Sequence, residues 1–172
     1  MNWSLNKLSG LLFARPPRVV CDAAVWRSGA AELRRRTLNG RREAGAFLLG
    51  TRNGPQRRIE AFAFYDDIDP HALDSGIVHF NGNKFGKVWE ICREQSRSVV
   101  ADVHVHPGSY EQSASDQDEP AIPRAGHIAI IIPHFAERVI DPGGIGLYEY
   151  LGNKRWRTRT AGGRQFFQLI ES

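Results

Sequence analysis

The sequence predicts one α/β (α+β) domain with a mixed β-sheet, spanning residues 1–172. Three observations favour this class. The length of 172 residues suits a single domain, and hydrophobic residues make up 41% of the chain, enough for a sizeable core. About eight segments carry strand patterns and two carry helical ones. Strand and helix patterns alternate in the first half and strands dominate the second half, which indicates a sheet with helices on its sides.

Apolar or alternating stretches bounded by turn residues predict the strands. They lie at residues 18–26, 43–49, 58–65, 98–106, 127–133, 145–151, 155–160 and 164–170. Asn53-Gly54-Pro55 is a turn signal between the second and third strands, and Asn153-Lys154 has the position of a hairpin connection. Polar composition predicts loops at residues 66–74 and 107–126.

Two segments predict helices. Residues 30–37 have the composition of a short helix, with Ser28 as a candidate N-cap and Asn39-Gly40 at the C-terminal end. Residues 81–95 carry apolar side chains at spacings of three and four, which is typical of an amphipathic helix. This second helix leads directly into the strand at residues 98–106.

The charge pattern narrows the function classes only a little. The net charge is +4, and most positive residues are arginines. They cluster at residues 34–36, 41–42, 57–58 and 154–164. Because no aromatic stacking motif or zinc-finger spacing accompanies them, we expect a solvated face or a surface for an acidic protein partner, not a nucleic-acid site.

We expect a cytoplasmic protein with no membrane segment. The apolar run at residues 128–132 is far too short to cross a bilayer, and the N-terminus lacks the apolar core of a secretory signal. Cys21 and Cys92 lie far apart in no paired motif, and Cys92 has the setting of a small buried residue. A reducing compartment fits this usage best, although a single disulfide stays open.

The most informative feature of the chain is the pair His104-Val-His106, followed by Pro107. Two histidines two apart on a strand project to the same face, so their imidazoles can converge on one metal ion. An apolar run leads into the pair, and a polar loop then returns a carboxylate. Two histidines and one carboxylate with an open fourth position are typical of a catalytic zinc site.

The other candidate residues flank this pair. The candidate third ligand is Asp116, and Asp118 is an alternative because Ser115 and Asp118 form a second Ser-x-x-Asp match. Glu43, at the head of a strand where packing does not need a carboxylate, is the candidate general base. Ser113 is the candidate donor to the developing oxyanion.

Taken together, these residues resemble the JAMM motif of the JAB/MPN zinc metalloproteases. The match consists of Glu43, His104-x-His106-Pro107 and Ser113-x-x-Asp116, with five residues between the proline and the serine where the family usually has six. The segment 43–50 is similar to the family's glutamate strand, and the segment 125–133 is similar to prokaryotic JAB proteins. The resemblance favours Asp116 over Asp118, since the segment Gln112-Ser-Ala-Ser-Asp116 is similar to prokaryotic variants.

The resemblance implies a fold, an activity and a set of partners. The fold would be a curved mixed sheet flanked by helices. The chain would be a zinc-dependent isopeptidase or peptidase that binds one Zn²⁺ through His104, His106 and Asp116, with Glu43 as base and Ser113 beside the substrate carbonyl. It would cleave after the C-terminal glycine of a bacterial ubiquitin-like protein, and its partners would be that protein, its conjugates and E1-like or E2-like proteins of the same operon, as in antiphage systems.

Several alternatives stay open at this point. Deconjugation and precursor processing are the same chemistry, and the sequence does not separate them. A catalytically silent JAB scaffold that binds a ubiquitin-like protein or a conjugation enzyme is the main rival, although the full residue set favours an enzyme. A cupin is disfavoured because Ser98 stands where a glycine is expected, and an amidohydrolase barrel would need a longer chain.

Overall fold

A curled mixed sheet of eight strands forms the framework of the protein. The computed structural model describes residues 16–138 and 140–171. Within these residues the strands are β1 (Val19–Asp22), β2 (Gly45–Asn53), β3 (Gln56–Phe64), β4 (Ser98–Val105), β5 (Ile128–Ile132), β6 (Gly146–Gly152), β7 (Arg155–Thr158) and β8 (Phe167–Ile170). Their order across the sheet is β7-β6-β5-β4-β2-β3-β1-β8.

Five α-helices accompany the sheet in the described part of the chain. They are α1 (Ala23–Arg36), α2 (Tyr65–Ile68), α3 (Phe85–Glu94), α4 (Ala114–Asp118) and α5 (Gly163–Phe166), and short 3₁₀ segments lie at Gly82–Lys84, His134–Ala136 and Thr160–Gly162. Only α1 and α3 exceed two turns. The expectation of two substantial helices and a mixed sheet is therefore confirmed, with three short helices added.

Strand β4 occupies the interior of the sheet. It pairs antiparallel with β2 and parallel with β5, and every residue of β4 after Ser98 is buried. A strand covered on both faces needs a mainly apolar sequence, which residues 99–103 supply with Asp102 as the exception. The end of this strand is therefore held firmly by neighbours on both sides.

The first strand is shorter than predicted, and the prediction that Ser28 caps a helix is wrong. Strand β1 ends at Asp22, whose side chain accepts hydrogen bonds from the backbone N–H groups of Ala24 and Val25, so Asp22 is the N-cap of α1. Residues 23–26 look like a strand in sequence because all four are apolar. Their burial comes instead from the face of α1, where Trp26 is fully buried.

Three further boundaries differ from prediction. Helix α2 begins at the last residue of the predicted third strand and runs into the predicted loop at residues 66–74, and α4 lies within the predicted loop at residues 107–126. The first part of the predicted last strand is α5, and only its remainder is β8. The predicted hairpin at Asn153-Lys154 is confirmed, because both residues have positive φ angles (51° and 56°) between β6 and β7.

Arginine 57 departs from the predicted solvated basic face. It is 3% exposed, and its guanidinium donates to the backbone carbonyls of Val100 and Gly126, so it ties β3 to β4 and to the segment before β5. Burial lowers the pKa of Arg57 to about 10. This arginine serves the framework and is not available to a partner.

Both cysteines are buried free thiols. Cys21 lies in β1 and Cys92 in α3, and the two do not form the disulfide that the sequence left open. Burial, with the charge of Asp22, raises the pKa of Cys21 to about 12, which keeps this thiol protonated. Within the described residues, no helix combines the length and apolar content needed to cross a membrane.

Glycine 50 should be irreplaceable by alanine in β2. The sheet register shifts at this residue, and a Cβ there would lie 1.8 Å from the backbone oxygen of Arg58. We expect Gly50→Ala to lower the free energy of unfolding by about 3 kcal/mol, because β3 must move to make room. Gly86→Ala is the control, since a Cβ there would contact nothing within 4 Å. Equal urea-unfolding midpoints for the two variants would contradict this account.

Candidate metal centre

The two histidines lie at the C-terminal end of β4. His104 is in the strand and His106 follows its last residue, and both side chains project from the same face as spacing of two requires. They are 7% and 8% exposed. Their Nε2 atoms are 2.9 Å apart, so the two imidazoles converge on one point.

Antiparallel pairing brings Glu43 to the same end of the sheet. Gly45 of β2 is opposite His104, and the Val105 N–H donates to the carbonyl of Ala44 (3.0 Å). Glu43 therefore lies beside His106, with its Oε1 3.9 Å from His106 Nε2. Its other oxygen, Oε2, accepts a hydrogen bond from the backbone N–H of Val78 (3.2 Å), which orients the carboxylate.

Asp116 completes the group from α4. Its Oδ1 lies 3.2 Å from His104 Nε2 and its Oδ2 lies 3.3 Å from His106 Nε2. Ser113 is the N-cap of α4: its hydroxyl donates to Asp116 Oδ2 (2.7 Å) and accepts from the Asp116 N–H (3.2 Å). The structure thus gives Ser113 the role of orienting the carboxylate, and its role toward an oxyanion stays a prediction.

Asp118 does not join the group. Its carboxylate pairs with Lys154 (3.2 Å), and its side chain is 62% exposed, against 20% for Asp116. Two residues along a short helix place the two side chains on different faces. The geometry therefore favours Asp116 over Asp118 as the third ligand.

The carboxylate of Asp116 and the two imidazoles shift one another's pKa values. Burial lowers the pKa of His104, but the hydrogen bond and negative charge of Asp116 outweigh it and raise that pKa above its usual value. Burial raises the pKa of Asp116, yet the hydrogen bonds from His104 and His106 hold it well below its usual range. Asp116 is therefore an ionised carboxylate facing two imidazoles, the form that binds a metal.

The residues present fit a zinc ion. In tetrahedral zinc sites with bonds of 2.0–2.1 Å, neighbouring ligand atoms are about 3.3 Å apart. The three separations between His104, His106 and Asp116 are 2.9, 3.2 and 3.3 Å. Glu43 and the two histidines also bring their ligand atoms within 4.8 Å of one another, so Glu43 competes with Asp116 for the third position. Its separation of 3.9 Å from His106 suits a proton-handling group beside the ion better than a ligand.

A second buried polar group beneath the centre was missed by sequence reasoning. Asp102, two residues before His104 on the same face of β4, accepts from His127 Nε2 (2.5 Å), and Tyr65 donates its hydroxyl to the other Asp102 oxygen (3.4 Å). Burial and the charge of Asp102 raise the pKa of Tyr65 well above its usual value. The one available signal was alternation, since residues 102, 104 and 106 share a face.

Removing His127 should destabilise the fold strongly. His127 and Asp102 are 5% and 4% exposed, so His127→Ala leaves a buried carboxylate without its main partner. We expect a loss of about 3 kcal/mol in the free energy of unfolding. The matched control is His71→Ala, which removes an exposed histidine–aspartate pair with Asp74.

An added Asp102→Asn change should recover part of the stability lost in His127→Ala, because the amide carries no charge. Urea unfolding of the four proteins measures this. If His127→Ala and His71→Ala unfold at the same urea concentration, the buried Asp102–His127 pair does not stabilise the fold more than an exposed pair does.

Two cavities flank the centre and meet at Asp116. One, of about 310 Å³, is lined by aromatic rings, among them Phe80 and Phe85, and reaches His104. The other, of about 250 Å³, is lined by Glu43, His106 and the Gly108-Ser109 turn.

Comparison with known proteins identifies similar folds and no family. No known protein-family model matches the chain. The solution structure of protein DSY2949 from Desulfitobacterium hafniense superposes with a TM-score of 0.64 at 18% sequence identity, covering 90% of this chain and 94% of that one. A solution structure of a protein from Salinibacter ruber gives a TM-score of 0.51 at 15% identity, covering 84% and 88% of the two chains. Both are structural genomics targets, and at such identities they establish a shared fold alone.

Proposed function

We propose that this chain is a zinc-dependent hydrolase of the JAB/MPN type that cleaves the peptide or isopeptide bond after the C-terminal glycine of a bacterial ubiquitin-like protein. One observation carries the proposal. Glu43, His104, His106 and Asp116 come from three separate segments. Glu43 and the two histidines have ligand atoms within 4.8 Å of one another, and Asp116 lies 3.2 and 3.3 Å from the two histidines, separations that suit one zinc ion and an adjacent base.

A zinc ion held by His104, His106 and Asp116 would act as a Lewis acid and would lower the pKa of a bound water to near neutrality. Glu43 then handles the protons. Its Oε2 is anchored by the Val78 N–H, which leaves Oε1 facing His106 and free to take a proton from water and return it to the departing amine.

The two cavities support an extended substrate. The C-terminal glycine of such a tail has no side chain. Its backbone would therefore fit the cavity lined by Asp116 and the Gly108-Ser109 turn. Main-chain hydrogen bonds would then provide most of the affinity for the tail. The ubiquitin-like protein, its conjugates and E1-like or E2-like proteins are the partners that we propose on this basis.

The rival function is a silent JAB scaffold that binds such a partner without cleaving it. A protein that only binds its partner does not need a general base beside the candidate ligands. Here Glu43 lies beside His106 and is oriented by the hydrogen bond from the Val78 N–H. The enzyme proposal is therefore the better supported of the two.

Cleavage of defined fusions tests the proposal. The substrates are ubiquitin-like proteins from conjugation operons, joined through their C-terminal glycine to a reporter by a peptide or a lysine isopeptide bond. We expect the zinc-loaded protein to cleave at the glycine, a chelator to stop the reaction, and a glycine-to-valine substrate to resist. Binding without cleavage of any fusion would instead support the scaffold.

A further inference from the structure

The three residues directly after β5 and Pro133 have an unusual backbone. His134, Phe135 and Ala136 have φ angles of 53°, 51° and 58°, and we call them the left-handed turn. This region is unfavourable for residues with a Cβ, and consecutive residues rarely adopt it. Such a conformation persists only where surrounding contacts impose it, and it is concentrated at functional sites.

The left-handed turn holds the main chain of a candidate zinc ligand. The Phe135 N–H donates to the carbonyl of His106 (2.8 Å), and the His134 N–H donates to the carbonyl of Gly108 (3.1 Å). The N–H of His106 itself donates to Ile132 in β5 (2.9 Å). Both backbone groups of His106 are thus fixed by β5 and the turn that follows it.

A second left-handed segment touches the first. Leu38, Asn39 and Gly40, with φ angles of 54°, 61° and 76°, follow α1 and lead within three residues to Glu43. A Cβ on Gly40 would lie only 3.2 Å from the ring of Phe135. The segment before the candidate base and the turn that holds the candidate ligand therefore pack directly on one another.

We propose that the left-handed turn is a positioning element that sets the backbone of His106 relative to Glu43. Phe135 is its key residue, because its N–H binds His106 and its ring rests against Gly40. The turn itself touches no reacting group. The geometric part of this proposal stands alone, whereas its effect on zinc affinity rests on the proposed function.

The test uses His134, whose side chain is exposed, so that substitutions there change the backbone preference without disturbing the core. His134→Gly favours a positive φ, and His134→Val opposes it because a β-branched residue tolerates that region poorly. Both variants remove the same imidazole. In metal-free protein, we expect amide hydrogen exchange at Phe135 to be about ten-fold faster in His134→Val than in His134→Gly.

Zinc affinity is the second readout, measured by competition with a chromophoric chelator. We expect His134→Val to bind zinc about ten-fold more weakly than wild type, as for other groups that orient metal ligands, and His134→Gly to bind within about two-fold of wild type. Equal effects of the two variants on exchange, or no effect of either, would overturn the proposal. If wild-type protein binds no zinc, the proposed function fails, while the exchange result still decides the geometry.

A second pair covers the case in which His134→Val does not fold. Gly40→Ala presses on the Phe135 ring, and Gly54→Ala is its control because Gly54 also has positive φ (56°) but has no neighbour within 4 Å of its Cβ position. We expect faster exchange at the Phe135 amide only in Gly40→Ala. Equal rates in both would count against the turn as a positioning element.

Discussion

Glu43→Gln is expected to lower the rate of hydrolysis by about 10³-fold while leaving zinc binding and stability unchanged, since removal of a positioned general base typically costs 10²–10⁴-fold. The amide keeps the shape of the carboxylate and retains an oxygen that can accept from the Val78 N–H. What it loses is the ability to take a proton at the oxygen facing His106. The effect should therefore fall on kcat, measured with a glycine-terminated fusion, and not on binding of the tail.

Glu111→Gln is the matched control for this substitution. Glu111 lies in the loop between His106 and α4, is exposed, and lines neither cavity that flanks the centre. We expect its activity to equal that of wild type. Glu43→Asp should retain part of the activity, because the shorter carboxylate cannot both hold the Val78 N–H and face His106. Full activity in Glu43→Gln would exclude Glu43 as the base. Loss of zinc from this variant would instead identify Glu43 as a zinc ligand.

Short-range patterns predicted the parts of this fold that depend on local chemistry. The apolar run before His104 indicated a strand, and the turn residues at Asn53-Gly54 and Asn153-Lys154 indicated hairpins that the structure contains. The start of the first helix was misplaced because a short apolar run suits a strand and a helix alike. The structure shows Asp22 capping the helix where β1 ends.

The same division applies to the site. His104 and His106 were visible as neighbours in the sequence, whereas Glu43 and Asp116 were candidates that gained support from the resemblance to a known motif. The pairing of β2 with β4 explains why Glu43 arrives beside His106. The Asp102–His127 pair and the left-handed turn depend on tertiary contacts, and ordinary residues such as Phe135 carry no local signal for a positive φ.

Asp116→Asn is expected to reduce zinc affinity by about 100-fold or more, because loss of a ligand should exceed the 10–100-fold effect of an outer partner. The amide is neutral and a weaker metal donor, yet it can still accept the Ser113 N–H that now binds Oδ2 (2.7 Å). The start of α4 therefore stays formed, and the change in affinity reports the ligand. Competition with a chelator and elemental analysis of the purified protein measure it.

Two controls separate the ligand from its setting. Asp118→Asn removes an exposed carboxylate that pairs with Lys154, so zinc content should remain one ion per chain. Ser113→Ala removes the cap hydroxyl, at a cost of about 1 kcal/mol in stability, and should weaken zinc binding less than Asp116→Asn. Loss of zinc in Asp118→Asn with retention in Asp116→Asn would reverse the assignment. That outcome would require α4 to turn until Asp118 leaves Lys154 and faces the histidines, which the cap formed by Ser113 opposes.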